Sequence, residues 1–230
     1  MSKTRAGRAR YGHVGAVYDA ISLERWLYRR PRQRLHDMIG PQPGATIVDA
    51  GCGTGLNFDG LVSLVGPSGR VIGIDASPSM LAAATRRTRA AEWNNITIVE
   101  ADIADLTITL RSSGIQISDI DAVIATFVVS TLRDPTSFWR PVDEIVASHP
   151  CLLVALAVIG QADAARRLPA IALNTLAALG GNEQQTQPWN DLAQRSSDAV
   201  TEQHLGGHVH LAVGHCDHHP LHVPPREPPS

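Results

Sequence analysis

The sequence predicts an α/β domain built on a mostly parallel sheet with helices on both faces. Three observations lead to this prediction. Five short runs rich in Val, Ile, Leu and Ala alternate with segments that have helical signals. These runs include some that are apolar at nearly every position, as expected of strands buried on both faces. The first run ends in a cluster of glycines, and a Gly-Gly pair separates two further strand-like runs near the C-terminus.

The strands can be placed from their β-branched residues and from the turn residues that bound them. The first five are predicted at residues 46–50, 70–75, 96–100, 121–127 and 152–159. Residues 199–205 and 208–213 flank Gly206-Gly207, a pattern typical of an antiparallel hairpin. The chain is therefore expected to contain five β/α units followed by a hairpin.

Helix signals lie between the predicted strands. Ser77 before Pro78 is an N-cap residue followed by proline at the first helical position. A further helix is expected after Pro135. Residues 162–179 are rich in Ala and Leu and predict a helix that ends at Gly180-Gly181.

Length and composition exclude several classes of protein. A chain of 230 residues, 43% of them hydrophobic, suits one α/β domain and is too apolar for a disordered protein. No apolar run reaches the roughly 18 residues that a membrane-spanning helix needs, and the basic N-terminus leads into no apolar segment typical of a secretory signal. Three cysteines far apart in the sequence do not form a disulfide framework, so a cytoplasmic location is expected.

The net charge of −2 hides an asymmetry. Residues 1–34 carry nine basic and two acidic side chains, while the rest of the chain is strongly acidic. The basic segment is either a solvated arm or a surface that meets a phosphate, an anionic membrane or a carboxylate. The solvated arm is favoured for residues 1–10, and both interpretations stay open for residues 18–34.

The most informative segment is the glycine loop, residues 51–55, which follows the first predicted strand. Gly51, Gly53 and Gly55 alternate there, and glycine lets the backbone turn sharply and approach a ligand closely. The start of the following helix, expected near Leu56, favours an anionic group. The spacing is neither Gly-x-Gly-x-x-Gly nor that of a P-loop. Asp49 precedes the loop and is placed either to fix it or to accept a hydrogen bond from an amine.

Two further carboxylates follow the next two strands. Asp75 ends the second strand, where a carboxylate can accept two ribose hydroxyls, and Asp102 follows the third, where it can accept from an exocyclic amine. Each aspartate taken alone is explained as a turn or cap residue. Together with Asp49 they converge on one crevice, because the carboxyl ends of parallel strands meet at the same edge of a sheet.

These motifs resemble those of class I S-adenosylmethionine-dependent methyltransferases. The resemblance covers about residues 44–160 in register and rests on residues 48–55, 71–80, 99–102 and 121–127. It implies S-adenosyl-L-methionine (SAM) as cofactor and a Rossmann-like sheet of seven strands with the last strand reversed. The expected organisation is an N-terminal basic arm with lid helices at 1–43, a SAM-binding domain at 44–215 and a Pro/His-rich, disordered tail at 216–230.

The resemblance also implies roles for the residues of the methionine half of the site. Asp49 and four residues of the glycine loop would hold the methionine part of SAM, the four being Gly51, Cys52, Gly53 and Gly55. Thr126, at the end of the fourth strand, would face the methyl group.

The nucleoside half is implied in the same way. Asp75 would bind the ribose hydroxyls, with Ala76 and Met80 near the adenine. Asp102 would bind the adenine amine, with Ile103 beside the ring.

The N-terminal segment resembles one branch of the family, whereas the turn before the fifth strand departs from the family pattern. Tyr18-Asp19 and the Tyr28–Arg30 region resemble the lid helices of the quinone and lipid-headgroup branch. Before the fifth strand, where the family usually has Pro-Gly-Gly, this chain has Ser148-His149-Pro150-Cys151, which is expected to alter a turn.

The resemblance implies methyl transfer to a small acceptor. Residues 11–40 and 160–195 are expected to set the specificity for the acceptor. The second segment is rich in Ala and Leu, which favours an apolar or amphiphilic acceptor. The same composition equally suits an ordinary core helix. Because methyl transfer is an in-line displacement, the protein must align the acceptor and exclude water. A base is needed only if the nucleophile is protonated. Weak candidates for such a base or orienting group are Tyr18, Tyr28, His36 and His149, each of which also has a structural explanation.

Other functions remain open at this point. The same cofactor could donate its aminocarboxypropyl group to a lipid headgroup, or the chain could be a SAM-binding partner without catalysis. A nicotinamide enzyme is disfavoured by the glycine spacing. RNA methylation is possible given the basic N-terminal arm, but ten aromatic residues offer few platforms for stacking RNA bases. Seven of the ten histidines lie in 204–222, but without a second cysteine pair no metal site is predicted.

Overall fold

The structure, a computed structural model, describes residues 27–149, 151–160 and 187–217. Three expectations concern other parts of the chain: the lid segment around Tyr18, the helix at 162–179 and the tail beyond residue 217. They lie outside the described residues.

Seven strands form a single sheet in the order β3-β2-β1-β4-β5-β7-β6. Strands β1 to β5 are parallel, whereas β7 is antiparallel to both β5 and β6. The predicted Rossmann-like sheet with a reversed last strand is thereby confirmed. The strands are β1 Thr46–Ala50, β2 Arg70–Asp75, β3 Ile96–Glu100, β4 Ala122–Thr126, β5 Leu152–Ile159, β6 Val200–His204 and β7 Val209–Cys216.

The first three strands and the fifth begin and end at the predicted residues, and the fourth is one residue shorter at each end. The hairpin prediction placed the end of the last strand too early, because β7 continues to Cys216. That extension is stabilised by β5, whose Leu152 pairs with Cys216 in the register of the two strands.

Six helices are described around this sheet: α1 Arg29–Ile39, α2 Phe58–Val65, α3 Pro78–Ala90, α4 Leu106–Ser112, α5 Thr136–Val146 and α6 Pro188–Arg195. The helix expected near Leu56 starts two residues later, because turns closed by Gly55 N–H to Cys52 O and by Phe58 N–H to Gly55 O precede it. Ser77 occupies the N-cap position of α3, but its hydroxyl bonds the Ser79 hydroxyl at 3.1 Å rather than capping the first turn.

Helices cover both faces of the sheet because successive strand residues point to opposite sides. Ile47 of β1 packs with Leu35, Phe58 and Leu81 of α1, α2 and α3, all of them buried. The next residue, Val48, belongs to the other core, which contains buried side chains from α4, α5 and α6, namely Leu106, Phe138 and Leu192. The sheet is therefore the shared middle layer of two hydrophobic cores.

The turn before β5 departs from the pattern of the resembled family and carries local strain. Cys151 has a φ of 73°, a left-handed conformation in which a residue with a side chain is less stable than glycine by about 1–2 kcal/mol. Its thiol lies 3.3 Å from a carboxylate oxygen of Asp217. Whether this turn differs from that of the family stays a prediction.

None of the helices within residues 27–149, 151–160 and 187–217 combines the length and apolar character that crossing a membrane requires. The cytoplasmic location stays a prediction.

Candidate active site

The strand order places a crevice between β1 and β4. The chain leaves β1 toward β2 on one side, whereas β4 lies on the other side of β1, so the strand order reverses there. Ligands of open α/β sheets bind outside the carboxyl ends of the strands at such a point. The glycine loop, the end of β4 and their neighbours occupy this position.

The glycine loop is fixed to the adjacent strand through its backbone. The N–H groups of Gly51 and Cys52 both donate to the carbonyl of Ile74, at 2.8 and 2.9 Å. Gly51, Gly53 and Gly55 have φ values of 74°, 55° and 78°, the left-handed region that glycine enters without steric cost.

Two glycines of the loop are also required by close packing. A Cβ atom at Gly51 would lie 2.6 Å from a methyl group of Val128, and one at Gly55 would lie 2.7 Å from the Phe58 ring. At Gly53, by contrast, no atom of the described residues lies within 4 Å of the added Cβ. The loop is thus closed against the protein at Gly51 and Gly55 and open at Gly53.

Asp75 links the glycine loop to the start of α3. One carboxylate oxygen accepts from Gly53 N–H at 3.0 Å, and the other accepts from Ser77 N–H at 2.8 Å. Burial raises the pKa of this carboxyl, while the backbone donors oppose that rise. The side chain therefore holds the open part of the loop at the end of β2, and Ala76 and Met80 follow it in the adjoining turn and helix.

The end of β3 lies next to the end of β2. Ala101 N–H donates to the carbonyl of Asp75 at 3.1 Å, and Asp102 is the next residue after this contact. Asp102 is exposed and accepts from Ala104 N–H at 3.0 Å, while Ile103 is buried. The structure thus brings the second and third predicted carboxylates to the same edge.

Asp49 is fully buried at the centre of a polar network, defined here as Asp49, Asn57, Thr126 and Arg32. Asn57 Nδ2 donates to Asp49 Oδ1 at 2.8 Å and to Thr126 Oγ1 at 3.0 Å. An Arg32 guanidinium nitrogen donates to Asn57 Oδ1 at 2.6 Å and to Thr126 Oγ1 at 2.9 Å. The network connects β1, the turn before α2, β4 and helix α1.

Burial dominates the electrostatics of Asp49. It raises the pKa of this carboxyl to about 7, although the hydrogen bond from Asn57 and the charge of Arg32 both lower it. The second oxygen, Asp49 Oδ2, is buried and accepts from no donor among the described residues. This oxygen is therefore available to a donor that a ligand brings.

Sequence reasoning missed Arg32 and Asn57. Arg32 was counted only as part of a basic N-terminal segment, and Asn57 lies in a turn where asparagine is common. The pattern of α1 offers a weak signal, because Arg32 lies three residues before Leu35 and hence on the same helix face. Only the observed burial of both side chains makes their role visible.

A group of rings lies beside the network. Phe127 directly follows β4 and has a φ of 62°, and the Arg32 guanidinium lies 5.4 Å from the centre of its ring. The Tyr28 ring is 4.8 Å from Phe127, and its hydroxyl lies 3.0 Å from Nε2 of His208. Of the four candidate bases, Tyr28 is the one that the described residues place next to the end of β4.

The other candidates occupy different positions. His36 is buried between α1 and Gly60 of α2, and burial together with the charge of Arg32 lowers its pKa to about 4. His149 lies 3.7 Å from Asp121, at the amino-terminal end of β4 and so at the opposite edge of the sheet from the glycine loop. Tyr18 lies outside the described residues.

The described histidines of the histidine-rich end lie in or beside strands β6 and β7. Within residues 27–149, 151–160 and 187–217, no three His, Cys, Asp or Glu side chains are grouped as a metal ion requires. His215 instead pairs with Asp198 at 2.7 Å near the amino-terminal edge of the sheet. His218, His219 and His222 lie outside the described part of the chain.

Comparison with known proteins agrees with this arrangement. A family described as a methyltransferase domain matches residues 48–149. A nocamycin O-methyltransferase from Saccharothrix syringae is 28% identical over 50% of this chain and 40% of its own length. A demethylmenaquinone methyltransferase from Staphylococcus carnosus is 36% identical over 46% of each protein. The chain therefore spans less than half of the length of these two curated relatives.

Solved structures show the same fold at low sequence identity. A SAM-dependent methyltransferase from Aquifex aeolicus superimposes with a TM-score of 0.58 and 15% identity, over 80% of this chain and 89% of that protein. At this identity the likeness concerns the fold alone.

Proposed function

We propose that this chain, which carries a class I SAM-dependent methyltransferase domain, transfers the methyl group of SAM to a small-molecule acceptor. The observation that carries the proposal is the joining of the glycine loop, which follows β1 beside the point where the strand order reverses, to Asp75 at the end of β2. Asp75 holds Gly53 N–H, and the loop is open to a ligand at that glycine. When bound, SAM supplies the activated methyl group of a sulfonium ion.

The residues present fit this cofactor. Asp49 Oδ2 is a buried acceptor without a donor among the described residues, and it suits the ammonium group of a methionine moiety. The carboxylate of Asp75 keeps free lone pairs for ribose hydroxyls, since each oxygen uses one in its backbone contact. Asp102 is exposed at the neighbouring strand end, where it can accept from an adenine amine. Gly53, Ala76, Met80 and Ile103 complete the proposed contacts.

Hydrogen bonds to Thr126 prepare the reaction by holding the end of β4 in place. Thr126 Oγ1 accepts from both Asn57 and Arg32, so this strand end is fixed relative to α1 and to the start of α2. A preorganised site keeps an acceptor in line with the methyl group, which is the main contribution a protein can make to such a displacement.

An apolar or amphiphilic acceptor is the finer part of the proposal. Tyr28 and Phe127 present aromatic surface beside the end of β4, and an apolar ring gains from contact with them. The relatives described above are named for nocamycin and demethylmenaquinone, and both names agree with an organic small molecule as acceptor.

Calorimetry with S-adenosylhomocysteine tests the cofactor part. We expect Asp75→Ala to weaken binding by at least about tenfold, because two hydrogen bonds to a charged acceptor are lost. Asp119→Ala is the matched control, since Asp119 is an exposed carboxylate on the turn before β4. Equal affinities of the two variants, or no binding by the wild type, would contradict the proposed site.

Product analysis separates methyl transfer from the other reaction of the same cofactor. Incubation of a cell extract with methyl-labelled SAM and this chain should place label on an acceptor and release S-adenosylhomocysteine. Release of methylthioadenosine would instead indicate transfer of the aminocarboxypropyl group.

A further inference from the structure

Three rings from distant parts of the chain form a cluster that we call the aromatic corner: Tyr28, Phe127 and His208. Tyr28 precedes α1, Phe127 follows β4 and His208 precedes β7. The Tyr28 hydroxyl lies 3.0 Å from His208 Nε2, and the two rings stack with an interplanar angle of 28°. Tyr28 also packs against Phe127 at an angle of 50°.

The aromatic corner lies at the same edge of the sheet as the glycine loop. Because β7 is antiparallel, its first residue Val209 pairs with Ile159, the last residue of β5. The backbone of His208 is held there, since its carbonyl accepts from Gly160 N–H at 2.9 Å. Phe127 N–H donates to the carbonyl of Ala157 at 2.6 Å, and the next residue, Val128, packs on Gly51 of the loop.

Burial holds His208 in its neutral form. It has no exposed surface, and this burial lowers its pKa, so the imidazole is neutral at neutral pH. A neutral imidazole has one nitrogen with a proton and one with a lone pair. Nδ1 of His208 has no hydrogen-bond partner among the described residues, whereas Nε2 faces the Tyr28 hydroxyl. The Arg32 guanidinium lies 5.4 Å from the centre of the Phe127 ring, so one charged group of the described residues lies beside this corner.

We propose that Tyr28 and His208 form a proton relay for an acceptor with an acidic ring hydroxyl, such as a phenol or an enol. This inference rests on the proposed function. The acceptor proton moves to Tyr28 Oη while the proton of Tyr28 moves to His208 Nε2. The acceptor oxygen then forms a bond to the methyl carbon with its electron pair, and the pair of the breaking carbon–sulfur bond stays on sulfur.

The relay keeps the charge of the site constant. The positive charge lost when the sulfonium becomes a thioether reappears on the imidazole of His208, and a buried site avoids gaining or losing net charge. Tyr28 is the catalytic residue in this scheme because it touches the acceptor, and His208 is a positioning residue that acts through Tyr28. The aromatic faces of Tyr28 and Phe127 hold the ring that carries the hydroxyl.

Binding of 4-nitrophenol tests the relay without requiring the natural acceptor. The compound turns yellow when it ionises, and the wild type saturated with S-adenosylhomocysteine is titrated with it in slightly acidic buffer. We expect the ionised fraction of the bound compound to be higher in the wild type than in variants that break the relay, because its proton can pass to the Tyr28–His208 pair. In Tyr28→Phe and His208→Gln the ionised fraction should fall by at least about tenfold, as expected for loss of a general base.

The variants separate a relay from simple packing. Tyr28→Phe keeps the ring, and His208→Gln keeps an acceptor for the Tyr28 hydroxyl but has no basic nitrogen. His215→Gln is the matched control at the far end of β7, and it should behave as the wild type. If His208→Gln does not fold, the Tyr28→Phe comparison decides alone.

The remaining outcomes are decisive as well. Failure of the wild type to bind 4-nitrophenol, or an equal ionised fraction in all four proteins, would overturn the relay. Calorimetry with S-adenosylhomocysteine distinguishes this from failure of the proposed function: a protein that binds the cofactor product but does not ionise the phenol refutes the relay alone.

Discussion

Burial of the Asp49 carboxyl group is energetically unfavourable for its charged form. Its carboxylate has no exposed surface, and the low polarity of its surroundings disfavours the charged form. The hydrogen bond from Asn57 and the positive charge of Arg32 offset this only in part, so the pKa remains near 7. The folded protein therefore binds a proton at Asp49 under conditions in which the unfolded chain does not.

Replacing Asp49 by Asn should change the pH dependence of folding. Between the ordinary pKa of 3.8 and about 7 the folded state holds the extra proton, so the free energy of unfolding of the wild type falls as pH rises through this window. Asp49→Asn removes that dependence, so its stability relative to the wild type should rise across the window and level off above it. Urea denaturation at a series of pH values measures the difference.

The control for this experiment is Asp119→Asn, an exposed carboxylate. Its stability should run parallel to that of the wild type over the same pH range. Parallel curves for Asp49→Asn and the wild type would show that Asp49 is already ionised in the folded protein.

Residue types alone predict the acidic half of the site but not the basic half. Asp49 and Asp75 stand out in the sequence because each ends a strand next to a turn. Arg32 belongs to a run of arginines, and exposed arginine is the usual case. Its burial depends on the packing of α1 against the loop and β4, which the order of residues does not reveal.

At the scale of elements, the glycine loop is shaped by its neighbours as much as by its own φ angles. Gly51 has both a left-handed backbone and Val128 within 2.6 Å of its missing Cβ. Gly114, after α4, has a similar φ of 76° with no atom of the described residues within 4 Å. Substitutions at these two glycines therefore distinguish the cost of a left-handed backbone from the cost of steric overlap.

Gly51→Ala should be markedly more destabilising than Gly114→Ala. Both variants acquire the strain of a left-handed alanine, but only Gly51→Ala must displace Val128. Overpacking of this kind costs about 1–3 kcal/mol in the free energy of unfolding. Urea denaturation of both variants measures the difference, and equal losses would show that Val128 moves aside without cost.

The whole molecule is built around a sheet that two hydrophobic cores share. Leu61 of α2 and Leu110 of α4 are both fully buried and lie in opposite cores. Because every strand from β1 to β5 contributes side chains to both, loss of one core removes support from the other. Unfolding is therefore expected to be a single transition.

Leu61→Ala and Leu110→Ala test this coupling as a matched pair. Each should lower the free energy of unfolding by about 2–5 kcal/mol, the range for truncating a buried leucine. In both variants the urea transitions followed by tryptophan fluorescence and by circular dichroism should coincide. Separate transitions in either one would show that the two layers unfold independently.

The sequence by itself determined the strands, the class of fold, the glycine loop and the three carboxylates. These follow from local patterns, since apolar runs, turn residues and their spacing act over a few positions. Tertiary structure alone decided the burial of Arg32 and the meeting of Tyr28 with His208, which are 180 residues apart. The second contact arises because β7 inserts between β5 and β6, and that pairing is set by the packing of the whole sheet.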